Sequence, residues 1–215
     1  MAELTEGKHP GEFIASEANG SLSRETVTIL SGENVVAGEV LGKVTKGAAS
    51  AAAAAGNTGD GAMGAITVAA GAKAGDYVLT VIEPGTNVGD FIVEDPDGIN
   101  VGAGDVASAF SGGGLSFTLA DGDADFVAGD SIVITVAAGS GKYAAYDQDA
   151  TDGREVAAGI AYGNYDASAA DLSGVAVVRD AEVNAGELTW PSDITADEKT
   201  AAIADLAVNY VLVRN

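Results

Sequence analysis

The chain has 215 residues, with hydrophobic residues at 47%, 30 glycines and a formal net charge of −22. Such a length and apolar content support a buried core and one or two domains, and exclude a disordered chain or a proline-rich stalk. The acidity opposes direct contact with phosphate backbones, and the absence of cysteine removes disulfides, thiolate nucleophiles and cysteine-based metal sites.

Met1 to about Arg24 reads as a polar arm with Lys8, His9, Pro10 and the turn-prone Asn19-Gly20-Ser21. It is either a disordered terminus or a segment that orders on a partner. Its opening, MAELTEGKHPGEF, lacks the apolar core of a signal peptide, and no run approaches eighteen apolar residues, so neither a cleaved signal nor a membrane span is expected. From Glu25 to Thr45, Val27 and Ile29 alternate, Gly32 breaks the pattern, and Val40, Gly42 and Val44 alternate again, giving two strand candidates. Lys46 to Gly64 reads as a Gly/Ala/Ser/Asn linker, because five alanines at 51–55 are too few to hold a helix alone.

Residues 66–138 read as a separate all-β module. Strands are predicted at Ala65–Ala69, Tyr77–Ile82, Gly89–Glu94, Leu115–Leu119 and Ser131–Ala137, with a partly two-faced pattern that suits a sandwich. Gly102–Gly104 and Gly112–Gly114 are expected to be turns. Between Ala51 and Gly139 the single basic residue is Lys73, against twelve acids, which points this stretch at solvent or cations. The motif Ala-Gly-acid recurs at 37–39, 74–76, 128–130 and 185–187 and reads as shared turn chemistry, with the acid exposed at a strand start.

Beyond Lys142, strands are predicted around Tyr143–Tyr146, Val156–Tyr162 and Ser173–Arg179, with a turn at Asp152-Gly153. Thr195-Ala-Asp-Glu198 is a capping-box pattern that starts a helix over about 196–207, and Val208–Val213 closes the chain as a strand. Trp190, the sole tryptophan, stands before Pro191, and Tyr143, Tyr146, Tyr162 and Tyr165 cluster nearby in sequence; core packing and a subunit interface are both open for this set.

Little here carries reaction chemistry. His9 is the only histidine and lies in the arm, which excludes ordinary zinc sites and Ser-His-Asp triads. With 32 acids, paired carboxylates arise by chance and give no glycosidase signal. Asp121, Asp123 and Asp125 offer alternating hard oxygen ligands, a weak calcium pattern without the full twelve-residue loop; Asp95, Asp97 and Asp105 are scattered candidates of the same kind. Gly139-Ser140-Gly141-Lys142 lacks the spacing and the Ser or Thr of a phosphate loop, and Asn19-Gly20-Ser21 is a glycosylation acceptor only in a secretory context. No cofactor and no enzymatic activity are expected.

The order and spacing of several pieces resemble the head decoration proteins of lambda-like tailed bacteriophages. The pieces are AGEVLGKVT at 37–45, Thr151-Asp152-Gly153, Ala158-Gly159-Ile160, Gly174–Val178, Leu188-Thr189-Trp190-Pro191, and the closing helix and strand. The resemblance covers about 27–46 and 142–214; the stretch between is absent from the minimal family member. It implies a mainly β (α+β) fold, a small β-rich core with one short helix, interrupted here by an inserted sandwich-like all-β domain. The expected division is an arm at 1–24, a discontinuous core at 25–47 and 140–215, and an acidic, outward-facing insert at 48–139. The family trimerises at three-fold and quasi-three-fold positions of an expanded shell, with N-terminal arms on the major capsid protein. The expected partners are therefore that protein and two further copies of this chain, with no nucleic acid and no membrane. The expected location is the outer capsid surface of the virion, after synthesis in the host cytoplasm. Phe13 and Ile14, the first bulky apolar pair, are the expected arm anchors. A surface adhesion or carbohydrate-binding β-module is the alternative, and contact of the insert with a host surface or glycan stays open.

Overall fold

The computed structural model describes residues 6–215, so Met1–Thr5 of the expected arm lie outside the described residues. In chain order the first elements are β1 (Ile14–Glu17), a single turn α1 (Gly20–Ser23), β2 (Arg24–Ile29), β3 (Asn34–Val35) and β4 (Val40–Lys43). Next come β5 (Lys46–Ala53), β6 (Thr67–Val68), β7 (Gly75–Gly85), β8 (Val88–Glu94), β9 (Asn100–Asp105), β10 (Ala109–Gly112), β11 (Leu115–Thr118) and β12 (Ser131–Ala138). The chain closes with β13 (Tyr143–Ala145), β14 (Ala157–Ala161), β15 (Tyr165–Asp166), β16 (Leu172–Val177), β17 (Ala181–Asn184), a 3-10 turn (Ala185–Glu187), α2 (Ala196–Val208) and β18 (Val211–Arg214). The fold is mainly β with one short helix beyond a single turn, as the alternating apolar pattern predicts. Among the described residues, contacts group 6–44 with Gly141–Asn215 in one unit and Thr45–Ser140 in a second.

The first unit is built on a closed barrel, β13-β2-β16-β14-β4. Neighbouring residues of a strand point to opposite faces, and the barrel wall sorts them accordingly. Val27, Ile29, Leu41, Tyr143, Ala161 and Ala176, drawn from all five strands, form one buried cluster, the barrel interior. Val40, Ile160 and Val177, their sequence neighbours, join a second cluster with Val183 of β17, Val211 of β18 and Ala202 and Leu206 of α2. Two-sided burial explains the near-continuous apolar runs of β14 and β16. Gly42 is obligatory: a Cβ there would overlap the Arg154 carbonyl and lie 2.5 Å from the Arg154 Cα. The sheet β1-β17-β18 and the pair β15-β3 complete the unit.

The helix begins where the sequence places it. Thr195 Oγ1 accepts from Glu198 N at 3.3 Å, and Glu198 Oε2 accepts from Thr195 N at 2.8 Å. Asp197 and Glu198 lie in the first turn, where carboxylates complement the helix dipole.

The second unit is a two-sheet sandwich. An antiparallel five-stranded sheet, β5-β12-β7-β8-β9, packs its apolar face against the three-stranded sheet β10-β11-β6. Tyr77, Leu79, Val81, Phe91, Val93, Ile132, Ile134 and Val136 meet Phe110, Leu115 and Phe117 across the interior. The rings of Phe91, Phe110 and Phe117 lie 4.8–6.1 Å apart between centroids, within the range where aromatic pairs attract.

Three local expectations are corrected. Residues 46–53 form a strand of the sandwich rather than a linker: β5 pairs with β12 from Ala53↔Ile132 to Lys46↔Ala138. Gly102 and Gly104 lie inside β9 rather than in a turn, with Gly104 set against the Phe91 ring. Asp130 of the third Ala-Gly-acid motif is 4% exposed instead of open to solvent. Its carboxylate accepts from Thr58 N at 3.0 Å, Gly59 N at 2.9 Å and Val127 N at 3.0 Å, so it ties the 58–59 loop to the start of β12. Burial disfavours its charge, but the three donors outweigh burial and hold its carboxyl below the usual value.

Candidate functional site

The surface that merits attention in the first unit lies where the N-terminal segment and the Trp190-Pro191 corner meet. Lys8 Nζ donates to Glu187 O at 2.5 Å and to Thr189 Oγ1 at 3.1 Å. Gly11 N donates to Tyr162 O, and Asn184 N donates to Phe13 O at 2.8 Å. β1 then adds to the sheet edge through Ser16↔Glu182 and Glu17↔Ala181. Arg24 closes the segment: its Nε donates to Glu17 Oε2 at 3.0 Å and its guanidinium lies 4.0 Å over the Tyr162 ring. Glu17 raises the Arg24 pKa above its ordinary value, chiefly through this hydrogen bond.

Phe13 is 1% exposed and sits in the core cluster with Val40, Ile160 and Leu206; Ile14 is half-buried at the cluster's margin. From Lys8 onward the expected arm is thus docked on its own unit, with the Phe13 ring closed to solvent. The reason is tertiary: the ring fills a gap beside Gly38, where any Cβ would lie 3.6 Å from Phe13 Cδ1 and 2.6 Å from the Glu187 carbonyl oxygen.

The structure divides the predicted aromatics. Tyr143 belongs to the barrel interior, and burial raises its pKa. Tyr165 is half-buried, and its hydroxyl accepts from Val175 N at 2.9 Å. Tyr162 is half-buried under Arg24. Tyr146, Trp190 and Pro191 come together with Glu39, Val40, Ala145 and Thr189 around a cleft of about 160 Å³. The Tyr146 and Trp190 rings meet edge to face, 6.2 Å apart at 85°, and Lys199 Nζ lies 5.3 Å from the centre of the indole. Burial raises the Tyr146 pKa, and the carboxylates of Asp205, Glu198, Asp147 and Glu155 add to that rise. Burial likewise raises Glu39, although Val36 N donates to it. Trp190 Nε1 is buried and has no hydrogen-bond acceptor among the described residues. Sequence reading names Tyr146, Trp190 and Pro191 for this site, but not Glu39 and Val40, which arrive from far along the chain: Val40 O accepts from Tyr146 N at 2.9 Å, and Glu39 pairs with Thr189.

The weak calcium candidates do not converge. Asp125 Oδ1 accepts from Asn87 N at 2.9 Å, while Asp123 N and Ala124 N donate to Asp60 Oδ1. Among the described residues, no group of three or more acidic or histidine side chains is placed to hold a metal ion. Asp95 and Asp97 both pair with Lys73, at 2.5 and 2.6 Å, and Asp105 stands beside Asp90. His9 is exposed and contacts Glu6 at 3.1 Å.

Among solved structures, the chain is similar to the flagellar protein FlgL of Xanthomonas campestris at 19% identity. That match covers 48% of this chain and 33% of that one, with a TM-score of 0.34. FlgL of Legionella pneumophila gives 18% identity, 48% and 34% coverage and a TM-score of 0.34. The hook junction protein FlgK of Burkholderia pseudomallei gives 19%, 61% and 23%, also at 0.34. The chain thus spans about a third or less of these flagellar chains, and likenesses so slight carry no argument about role. No curated protein matches the chain. The family model of the bacteriophage lambda head decoration protein D matches residues 3–111 and 115–210, including most of the second unit. A match over nearly the whole chain places this protein in the family of the bacteriophage lambda head decoration protein D.

Proposed function

We propose that this chain clamps the expanded head of a tailed phage, binding as a trimer at three-fold and quasi-three-fold positions and bracing the shell against the pressure of packaged DNA. Family membership carries the reading: it assigns capsid decoration, a structural role on the capsid surface. The scarcity of reaction chemistry, with one exposed histidine and no cysteine, suits such a role.

The partners proposed are the major capsid protein and two further copies of this chain. Three shell contacts linked in one trimer act as one multivalent event, so modest single contacts give high avidity. A trimer on a local three-fold also matches the symmetry of its target. Residues 1–7, ahead of the docked Lys8, are the proposed shell-contacting arm, with buried Phe13 and half-buried Ile14 holding its base on the first unit. The second unit, with its twelve acids against Lys73 between Ala51 and Gly139, is proposed to face outward, where charge repulsion keeps densely arrayed copies apart. Synthesis in the host cytoplasm is part of the same proposal.

Cosedimentation with expanded, undecorated heads tests this, comparing the full chain with a form lacking residues 1–7. Deleting as far as Arg24 would remove Phe13 and β1 from the fold and confound the result. Saturable binding to expanded heads, weak binding to unexpanded proheads, and loss on removing 1–7 are expected. Equal binding to both head forms would overturn the lattice-selective clamp.

A further inference from the structure

β5 is a sheet edge without the usual protection. Among the described residues its one ladder partner is β12, so the main-chain groups along its other side pair with no strand. Natural proteins blunt such edges with lysine, proline or a covering segment, because a bare edge is a template for another strand. β9, the opposite edge, is covered: a Cβ on Gly112 of β10 would lie 2.7 Å from the Val101 carbonyl oxygen. On β5, by contrast, Ser50–Ala53 are exposed. Its single lysine, Lys46, is 4% exposed and donates to the Ala70 carbonyl of its own unit, so it does not guard the edge.

The sandwich is open on the same side. Ala49, Ala51 and Ala53 stand opposite Val136, Ile134 and Ile132 and share their inward face, yet Ala51 and Ala53 are exposed. The second sheet stops short of them. Its last stretch runs along β11 through Ala62, Gly64 and Thr67, leaving a cleft of about 450 Å³ among Ala49, Ala51, Ala53, Met63, Ile66 and Ile132. Charge and symmetry say what covers this edge. Between Gly47 and Ala72 the one charged residue is Asp60, and its carboxylate is held by the amides of Asp123 and Ala124. A second copy of a chain at −22 therefore meets little repulsion here. An alanine-rich strand also fits its own copy, since two identical strands related by a two-fold are antiparallel and their small side chains meet without a clash.

We propose that the free edge of β5 pairs with β5 of a second copy, antiparallel about a two-fold axis, so that the two five-stranded sheets continue into one. Main-chain hydrogen bonds supply the contact, as in other strand additions. Under the decoration reading, on which its location rests, the contact joins neighbouring trimers. Three-fold positions of an icosahedral lattice are exchanged by its two-folds, so a three-fold contact within trimers and a two-fold contact between them make a continuous net.

The chain has no cysteine, so single cysteines report on the edge without background. Ala48→Cys, Ser50→Cys and Ala52→Cys sample the exposed side of β5, and Ser108→Cys, exposed between β9 and β10, is the control. The full-length variants are treated with a short bismaleimide in about 1 M NaCl, where the screening length falls to about 3 Å and the repulsion between copies is suppressed. Covalent dimers are expected from at least one β5 position about tenfold faster than from Ser108→Cys; equal rates at all four positions would overturn the pairing. Ala52→Lys makes the chain less negative yet brings like charges together across the paired strands. In sedimentation equilibrium it is expected to self-associate about fivefold more weakly, with an unchanged melting temperature. Association as tight as the parent's would refute the edge contact. On decorated heads, Ala52→Cys carrying a benzophenone maleimide is expected to photocrosslink into a product of twice the chain mass. A product joined to a shell protein instead would give the edge to the shell and overturn self-pairing. Failure of the parent to sediment with heads would sink the decoration reading, while the solution crosslinking still decides the edge.

Discussion

Phe13 offers the sharpest contrast between two roles for one residue. If its ring anchors an arm to a partner, truncation leaves the isolated protein intact and removes binding. If its ring is core, truncation unfolds the unit that holds it. The structure gives 1% exposure, packing among Val40, Val183 and Leu206, and a main-chain hydrogen bond from Asn184 N that fixes the backbone beneath the ring. A Phe→Ala change at such a site loses the transfer free energy and leaves a cavity, together about 3–5 kcal/mol. The first unit, as a mid-sized domain, should then melt roughly 10–20 °C lower, using a few degrees per kcal/mol. Ile14→Ala, at the half-buried margin, should cost about 1–2 kcal/mol. Differential scanning calorimetry resolves the effect if the two units melt separately, and urea unfolding followed by Trp190 emission gives the free energy of the first unit. A Phe13→Ala protein with the parental urea midpoint and abolished head binding would refute the core assignment and restore the anchor.

Asp130→Asn should destabilise the second unit by about 2–3 kcal/mol at neutral pH, because three backbone donors lose a carboxylate. Its folded-state pKa is depressed, so the stabilisation is present above the unfolded value of about 3.9 and is lost as pH falls through the folded value. The gap between variant and parent in urea midpoint should therefore close in acid, and a gap independent of pH would count against the account. Asp90 behaves oppositely. It stands between Glu83 and Asp105 on adjoining strands, and its hydrogen bond with Asp105, followed by burial and the charges of Asp105 and Glu83, raises its pKa. The folded state thus binds that proton more tightly, and stability rises as pH falls through the folded value. Asp90→Asn should raise the melting temperature of the second unit at neutral pH and lose that advantage as pH falls through the raised folded value of Asp90; an unchanged melt at neutral pH would contradict it. Gly42→Ala should prevent the barrel from closing, since the added carbon meets Arg154 main chain on the facing segment, and retention of the parental near-ultraviolet circular dichroism would disprove this.

What the sequence determined by itself is whatever local periodicity and end chemistry specify. Alternation in Tyr77–Ile82 and Ile132–Val136 marks the central strands β7 and β12, since a strand packed on one face must alternate. Thr195 and Glu198 mark the helix start, because the capping box is satisfied within four residues. Two of the four Ala-Gly-acid motifs carry a positive-φ glycine at a turn, Gly38 and Gly129; Gly75, also at positive φ, opens strand β7, and Gly186 falls in a 3-10 turn.

The tertiary structure decided everything that depends on a distant partner. β5 and β9 are the two edges of the five-stranded sheet. KGAASAAA and NVGAGD carry only small or sparse apolar residues, Ala49 and Val101 meeting the sandwich core, so their order comes from pairing with β12 and β8 rather than from a pattern legible along the chain. Phe13 reads as a free apolar residue in a polar arm until β17 and the Glu187 turn supply its pocket, more than 160 residues along the chain. The burial of Asp130 is set by loop amides at 58–59 that no local motif announces. The Trp190 cleft likewise joins β4, β13 and the 189–191 corner. Short-range chemistry can be read along a chain because its partners are adjacent; burial cannot, because it is a property of what folds over a residue from elsewhere.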